Sequence, residues 1–302
     1  MYVNRIYKIC FSPTGTTDQV VTVLAGAMSK ILSAPLFSFD FTLPGARRLA
    51  ETSGSPAAWL AAAEDLPEPG AGDLVVFGCP TYAGRLPNLL LNYLNTVEGN
   101  GALAIPVVTF GNRNFDSALI ELRDILENHG FHTIAAAACS CEHSFSYILG
   151  EGRPDGRDKA EIQDFAEKAA EKVRKLRHTS WESSFSPDPV SVPGLPAEKN
   201  YGGYFQPQDR HGISIDIRKV KPKSNPQKCL HSADCHLCAD VCPMGAIDPS
   251  DITRIPGICI KCGACTKKCP AQAMYFDDPG YLYHKSELED LYRRRADNAF
   301  FL

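Results

Sequence analysis

Residues 3–17 read VNRIYKICFSPTGTT, an apolar stretch that runs directly into a loop of hydroxyl-bearing residues and glycine. The apolar part, Val3–Phe11, is rich in β-branched and aromatic side chains, which is typical of a buried strand. Apolar side chains at helical spacing follow the loop, at Val20, Val21, Leu24, Met28 and Ile31. We therefore predict a strand, a tight loop and a helix, the unit from which parallel α/β sheets are built.

The alternation of strand and helix continues to Arg177. Further strands are predicted at Leu36–Phe41, Leu74–Gly78, Ala104–Phe110 and Phe131–Ala138, and helices at Leu89–Val97, Ser117–Asn128 and Asp158–Arg177. This order predicts an α/β fold with a doubly wound, five-stranded parallel sheet. Ligands of such sheets bind at the carboxyl ends of the strands, so the loops at that edge are the candidate functional site.

The loop after the first strand combines four hydroxyl groups, a glycine and the start of a helix. Backbone N–H groups and hydroxyls in that setting form a neutral cradle for an anion. The loop has no lysine and no GxxxxGK[ST] motif, which disfavours a nucleotide-hydrolysing P-loop and favours a phosphate monoester that stays bound. The alternative is a helix cap rich in serine and threonine.

Two more loops lie at the same predicted edge of the sheet. Residues 78–87, GCPTYAGRLP, follow the third strand, and residues 111–116, GNRNFD, follow the fourth. Each loop offers backbone amides and one aromatic side chain to cover a flat ring. A phosphate loop with two such walls fits flavin mononucleotide, FMN. The arginines Arg85 and Arg113 either meet an anionic partner or solvate the rim of this site.

By these motifs, residues 6–177 closely resemble the flavodoxins, and the resemblance includes Glu142-His143-Ser144 and Gly152-Arg153-Pro154-Asp155. It implies that the hydroxyl loop binds the FMN phosphate and that the other two loops flank the isoalloxazine ring. The implied cofactor-binding residues are Ser12, Thr14, Gly15, Thr16, Thr17, Pro80, Thr81, Tyr82, Ala83, Gly84, Gly111, Asn112, Arg113, Phe115 and Asp116.

Glu142 and His143 follow the fifth predicted strand and so overlook the predicted flavin. His143 could donate a proton to a reduced flavin or to a substrate. The alternative is a hydrogen bond that only stabilises the loop. No catalytic residue is assigned beyond these two candidates.

Eight of the twelve cysteines lie between Cys229 and Cys269, and a cluster this dense indicates metal binding rather than a disulfide framework. The stretch Cys259–Pro270 reads CIKCGACTKKCP, which is the CxxCxxCxxxCP pattern. In this pattern three cysteines bind one iron–sulfur cluster and the fourth binds its neighbour. Zinc sites instead pair CxxC elements. The motif therefore predicts two iron–sulfur clusters.

The preceding motif departs from the pattern. Cys235, Cys238 and Cys242 keep the spacing, but Ser232 takes the place of the leading cysteine and Cys229 lies three residues earlier. Cys229 could complete a [4Fe–4S] cluster, three cysteines could hold a [3Fe–4S] cluster, or the Ser232 hydroxyl could be the ligand. We favour Cys229 because thiolate is the better ligand for iron.

Residues 223–279 resemble the bacterial two-cluster ferredoxins, and the whole chain resembles the flavodoxin–ferredoxin fusions of anaerobes. The crossed ligation of the ferredoxin family implies two sets of four cysteine ligands for two [4Fe–4S] clusters. The first set is Cys229, Cys235, Cys238 and Cys269, and the second is Cys259, Cys262, Cys265 and Cys242.

The predicted organisation has four parts. They are a flavodoxin-like FMN domain at residues 1–178, a proline- and glycine-rich linker or wrap at 179–222, a small α+β two-cluster ferredoxin domain at 223–280, and a helical tail at 281–302. The tail segment Lys285–Arg295 is expected to be a solvated helix.

The formal net charge is −4 with no basic stripe, which argues against a nucleic-acid partner. Spanning a membrane takes about 20 apolar residues, and the longest apolar runs are of strand length. The N-terminus lacks the apolar core of a signal peptide, so we expect a cytoplasmic protein.

The predicted function is electron transfer between one-electron iron–sulfur carriers and a two-electron FMN. The expected donor and acceptor are other redox proteins. The cofactors could meet within one chain or across a homodimer. One alternative is an FMN-dependent oxidoreductase acting on a small molecule or a quinone-like acceptor. Another is an electron-transfer subunit of a larger complex, which would expose an apolar surface, for example at residues 187–226 or at Phe300-Phe301-Leu302.

Overall fold

The computed structural model describes residues 3–53, 59–60, 66–176, 187–230 and 235–302. Its main sheet contains β1 (Ile6–Cys10), β2 (Leu36–Asp40), β3 (Leu74–Pro80), β4 (Leu103–Phe110), β5 (His132–Thr133), β6 (Ala136–Ser140) and β9 (Ala299–Phe301). The first six of these strands are parallel, in the order β2-β1-β3-β4-β6 with β5 also beside β4. This is the flavodoxin-like strand order, and it confirms the predicted doubly wound sheet.

The fifth predicted strand, Phe131–Ala138, is interrupted. Ala104 pairs with Thr133 and Val107 pairs with Ala137. An advance of four residues along the fifth strand therefore matches an advance of three residues along β4. The extra residue lies opposite Pro106, which has no N–H to donate to a neighbour. The result is a bulge that divides the strand into β5 and β6.

Helices cover both faces of the sheet. The helices are α1 (Thr16–Leu32), α2 (Pro44–Ser53), α3 (Leu91–Leu94), α4 (Ala118–Asn128) and α5 (Gly156–Leu176). One hydrophobic cluster contains α1 and α5, and the other contains residues of α2, α3 and α4. Side chains of β3 alternate between these clusters, since Leu74 and Val76 join the first while Val75 and Phe77 join the second. Every residue of β3 and β4 is buried, as expected for central parallel strands.

The cysteine-rich part is small. It contains β7 (Lys223–Ser224), α6 (Leu237–Asp240), α7 (Ala264–Lys267) and β8 (Met274–Tyr275), with β7 and β8 antiparallel. Its core combines Ile247, Ile252 and Met274 with cysteine side chains.

The segment between the two parts is a wrap rather than a free linker. Val190 is buried in the core of the sheet and donates its N–H to Thr133 O at 2.9 Å. Further along, the Tyr204 hydroxyl donates to Leu86 O at 2.9 Å and Phe205 N–H donates to Ala83 O at 2.8 Å. This segment therefore reaches the loop that follows β3.

The C-terminal tail differs from the prediction of a solvated helix. Helix α8 (Pro279–Leu291) begins earlier than predicted, and its Tyr281, His284 and Leu288 are buried. Beyond the helix, β9 pairs antiparallel with β6, and Phe300 stacks on Phe165 with ring centroids 4.9 Å apart. The tail is thus part of the sheet; of the suggested apolar surface at its end, Phe300 and Phe301 are half-buried and Leu302 is exposed. In the part of the chain that the structure describes, no helix has the length and apolar character needed to cross a membrane.

Candidate cofactor sites

The hydroxyl loop lies between β1 and α1. Ser12 and Thr17 are buried and bonded within the protein: Asp18 N–H donates to Ser12 Oγ at 2.9 Å, and the Thr17 hydroxyl lies 2.7 Å from that of Thr109. Thr14, Gly15 and Thr16 are partly exposed. The predicted cradle of four hydroxyls is therefore divided, with two that stabilise the loop and two at its surface.

The surface of this loop fits a phosphate group. Within the described residues, nothing accepts a hydrogen bond from the backbone N–H of Thr14, Thr16 or Thr17. A side-chain atom built on Gly15 would meet no atom within 4 Å, so there is room in front of these donors. The 17-residue helix α1 adds the positive end of its dipole.

A cavity of about 480 Å³ lies at the same edge of the sheet. Six residues of the predicted flavin walls line it, namely Thr81, Tyr82, Ala83, Gly84, Gly111 and Arg113. The Thr81 hydroxyl is buried and has no hydrogen-bond partner among the described residues. An orphaned polar atom on the wall of a largely apolar cavity fits a ligand with polar edges, such as an isoalloxazine ring.

The hydroxyl loop does not itself line this cavity, but Thr109 connects the two. The Thr109 side chain contacts Thr17, and its carbonyl accepts from Thr81 N–H at 2.7 Å.

Four other predicted cofactor residues do not line the cavity. Pro80 is buried at the end of β3, and Phe115 packs on Phe110 with centroids 5.6 Å apart. Asp116 forms an ion pair with Arg113. The buried Asn112 side chain donates to Tyr292 O and Arg294 O at 2.6 and 2.7 Å and so holds the C-terminal tail.

Arg85 has neither of the roles that the sequence suggested. It is buried and forms a two-point ion pair with Glu121 beneath the rings of Tyr201 and Tyr204. It therefore anchors the wrapping segment.

Most of the remaining cavity wall comes from parts of the chain in which no sequence motif predicts a contact with the flavin. Among them are Tyr204, Phe205, Ile217, Ile260 and His284. No local motif marks these residues, because they come from the wrap, the cysteine-rich part and α8. An apolar alternation in residues 213–217 was the one available signal.

His143 lines the cavity, whereas Glu142 does not. Phe145 N–H donates to His143 Nδ1 at 3.0 Å, so the hydrogen bond of the loop-stabilising alternative is present. Burial, with Lys267 and His284 nearby, lowers the pKa of His143 to about 3, so the ring is neutral near pH 7. Glu142 forms an ion pair with Lys267 of α7, which places it between the sheet and the cysteine-rich part.

The eight cysteines surround two separate small cavities. One is lined by Cys229, Cys235, Cys238 and Cys269, and the other by Cys242, Cys259, Cys262 and Cys265. These are the two sets that crossed ligation predicts. The described residues include no set of three cysteine, histidine or acidic side chains arranged to hold a single metal ion. Ser232, the alternative ligand, lies outside the described residues.

Backbone N–H groups point at several of these sulfurs. Cys242 Sγ accepts from Ala246 N–H, Cys259 Sγ from Lys261 N–H, and Cys269 Sγ from Ala273 N–H, each at 3.3 Å. Four thiols around one cavity, with N–H donors to sulfur, is the donor set that an iron–sulfur cluster requires.

The second cysteine set adjoins the large cavity. Cys259 and Ile260 line both that cavity and the smaller one between the four sulfurs. Burial raises the pKa of the Tyr82 phenol well above its ordinary value, and the neighbouring Cys262 and Cys259 thiols raise it further. A Cβ on Gly263 would lie 2.5 Å from Ser144 O, so the cysteine loop packs closely against the loop after β6.

Comparison with known proteins identifies a relative of the cysteine-rich part. A curated protein named Ferredoxin 7Fe, from Hydrogenibacillus schlegelii, is 35% identical over 54 residues, which is 17% of this chain and 68% of that protein. No family model matches the chain.

Several solved structures are similar to more than half of the chain. An archaeal flavodoxin covers 56% of this chain and 99% of its own, with 11% identity and a TM-score of 0.37. Flavodoxin 2 of Bacillus cereus also covers 56% and 99%, with 13% identity and a TM-score of 0.39. An NADH:FMN oxidoreductase in its apo form covers 60% and 92%, with 16% identity and a TM-score of 0.40.

Proposed function

We propose that this chain, which belongs to the ferredoxins through its cysteine-rich region, transfers electrons between two iron–sulfur clusters and an FMN within one polypeptide. The rest of the chain has the flavodoxin-like strand order. Iron–sulfur clusters carry one electron at a time, whereas FMN supplies chemistry with one or two. A protein holding both can connect one-electron donors to two-electron acceptors.

The arrangement of Cys259 and Ile260 carries this proposal. Both residues form the wall between the cavity with flavin-type lining and the cavity of the second cysteine set. A single layer of side chains therefore separates the two candidate cofactor positions. Since both positions belong to one folded chain, no diffusional encounter is needed between the cofactors.

Several polar contacts keep this arrangement in place. Lys267 donates to Ser146 O at 2.8 Å in addition to its ion pair with Glu142. On another side, Arg47 donates to Pro243 O at 2.7 Å. These bonds join the cysteine-rich part to the loop after β6 and to α2, which supports a fixed distance between the two sites.

The exposure of the cysteines supports an order for the cofactors, since three of the first set but only two of the second, Cys242 and Cys259, are partly exposed. Of the first cysteine set, Cys229, Cys235 and Cys269 are partly exposed, and Leu230 beside Cys229 is 61% exposed. We therefore propose that a redox partner protein exchanges electrons at the first cluster, which connects through the second cluster to FMN. The direction of flow depends on the potentials of donor and acceptor.

We propose that both clusters are [4Fe–4S], because Cys229 lies with three other cysteines around the first cavity. The name of the ferredoxin relative specifies seven irons, one fewer than two [4Fe–4S] clusters would hold. A [3Fe–4S] first cluster is the alternative, and iron analysis distinguishes the two.

The test is anaerobic purification followed by assay of iron, sulfide and FMN, and then rapid mixing with reduced methyl viologen. We expect the cluster absorbance to bleach before the flavin absorbance. Cys265→Ser, which removes a ligand of the second cluster, should slow flavin reduction by the viologen but leave direct photoreduction of the flavin unchanged. Thr266→Ser on the same helix is the matched control. A chain that holds no FMN, or a Cys265→Ser variant that reduces flavin at the normal rate, would refute the proposal.

A second candidate function is reduction of a flat small molecule at the flavin. The aromatic lining of the cavity by Tyr82, Phe145 and Phe205 favours it. Flavin reoxidation that accelerates on addition of a soluble quinone, with saturation, would support this candidate.

A further inference from the structure

Helix α8 presents a histidine to the large cavity that belongs to none of the motifs. His284 lies on the cavity wall and is 6% exposed. Its ring is stacked with Phe205 at 6.1 Å and lies edge-on to Phe145 at 6.3 Å, so aromatic neighbours hold it on two sides. The position of the imidazole is therefore defined before any ligand binds.

The His284 side chain is unsatisfied. Its Nδ1 is completely buried and has no hydrogen-bond partner in the part of the chain that the structure describes. The Glu287 carboxylate lies 3.9 Å away, beyond hydrogen-bond distance, on the next turn of α8. Buried polar groups in folded proteins are nearly always bonded, and an exception on a cavity wall indicates a role with a ligand or in proton transfer.

Cationic side chains outnumber acidic ones in the cavity lining around His284, and the one acidic side chain there among the described residues, Asp216, forms an ion pair with Arg218 at 2.8 Å. Arg113 faces it from the loop after β4, His143 from the loop after β6, and Lys261 lines the same cavity from the cysteine loop. Burial, with Arg113 as the second cause, lowers the pKa of His284 to about 4. The imidazole is therefore neutral near pH 7, with one nitrogen that donates and one that accepts.

Glu287 provides the connection to solvent. Its side chain is 27% exposed, whereas that of His284 is 8% exposed. The carboxylate is therefore placed to take a proton from water and, after a side-chain rotation that closes the 3.9 Å gap, to pass it to Nδ1. Electrons in the proposed function arrive from the Cys259 side of the cavity, so protons and electrons would reach it from different elements.

We propose that His284 is the proton donor to a flavin in the large cavity and that Glu287 returns the proton from solvent. This inference rests on the proposed function. Two electrons come from an external reductant through the clusters, and one proton balances part of their charge. The Nε2–H bond of His284 breaks as that proton moves to the reduced ring, while a proton from water, relayed by Glu287, forms an N–H bond at Nδ1. His284 thus begins and ends neutral.

The first test uses the holoprotein. His284→Asn should slow flavin reduction about a hundredfold, the lower end of the range for loss of a general acid, while the rate of cluster bleaching is unchanged. Glu287→Gln should slow it several-fold. His211→Asn, which changes an exposed histidine outside the cavity lining, should match the wild type.

Two further measurements separate proton donation from a structural role. Added imidazole should restore flavin reduction several-fold in His284→Ala but not in the wild type. In the FMN-free chain, the imidazole nitrogen shifts of His284 should be those of a neutral ring at pH 7, a readout that needs no flavin.

The outcomes are distinct. A wild type that binds no FMN overturns the proposed function and this inference together. A wild type that reduces its FMN while His284→Asn does so within twofold overturns this inference alone. A His284→Ala variant that loses FMN and shows no response to imidazole, together with a Glu287→Gln variant of normal rate, shows a structural role and also overturns it.

Discussion

Replacing Glu121 by glutamine should destabilise this protein far more than the loss of a surface charge. Arg85 and Glu121 are 5% and 2% exposed, and their ion pair has N···O distances of 2.5 and 2.8 Å. Glu121 also accepts from Leu86 N–H at 2.9 Å. Glutamine would leave the guanidinium buried without a counter-charge, and removing one partner of a buried ion pair costs about 3–5 kcal/mol.

The same substitution should weaken FMN binding. Arg85 donates to Asn200 O at 2.9 Å and lies 4.7 and 4.9 Å from the ring centroids of Tyr201 and Tyr204. It therefore positions the wrapping segment that brings Tyr204 to the cavity wall. When the guanidinium moves, that wall should move with it.

Urea unfolding followed by circular dichroism would measure the loss in stability, and flavin fluorescence would measure FMN affinity. Asp164→Asn is the control, because it breaks an exposed ion pair with Lys168 on α5 and should cost about 0.5 kcal/mol or less. The double variant Arg85→Met/Glu121→Leu should regain part of the lost stability, since no charge remains buried. If Glu121→Gln unfolds within about 1 kcal/mol of the wild type, a value typical of exposed pairs, the reasoning about this ion pair is refuted.

Three other perturbations give separate tests. Gly111→Ala should lower FMN affinity and cost about 1–3 kcal/mol of stability, because its Cβ would lie 2.2 Å from His143 Cδ2 and force that ring from the cavity wall. Cys229→Ser should reduce the iron content below the eight expected for two [4Fe–4S] clusters and change the electron paramagnetic resonance spectrum of the reduced protein. Burial alone would raise the pKa of Asp158, but hydrogen bonds from Arg153 and others hold it below its ordinary value. Its stabilising contribution is therefore present above about pH 4 and is lost as the pH falls through the folded-state pKa, so Asp158→Asn should flatten acid unfolding.

Each of these tests has a control or a contrary result. Gly156→Ala places a Cβ where no atom lies within 4 Å and should leave FMN affinity unchanged. Lys228→Ser changes an exposed neighbour of Cys229 and should keep the full iron content. A Cys229→Ser protein with eight irons would show that another residue is the ligand. Acid unfolding of equal steepness in Asp158→Asn and the wild type would show that Asp158 does not govern it.

Local sequence was sufficient for the elements and motifs whose physics is local. The strand–loop–helix at Val3–Ile31 could be predicted because periodicity and loop chemistry act over a few residues. The second cysteine motif could be recognised because the CxxCxxCxxxCP spacing matches the geometry of a cluster, whereas the division into two sets came from the resemblance to the two-cluster ferredoxins. The bulge opposite Pro106 is an intermediate case, since the proline is visible but its neighbour across the sheet is not.

By itself, then, the amino-acid sequence determined that this chain has a doubly wound sheet with a hydroxyl loop, and that a second part carries two sets of cysteines. Tertiary structure alone decided that Cys259 borders the large cavity, that Asn112 holds the tail instead of a cofactor, and that His284 reaches the cavity wall. The physical reason is separation along the chain: these contacts join residues that are far apart in sequence, such as Asn112 and Tyr292. They arise from packing and hydrogen bonding between helices, strands and loops that have already formed. No local pattern of residues in the sequence marks such contacts.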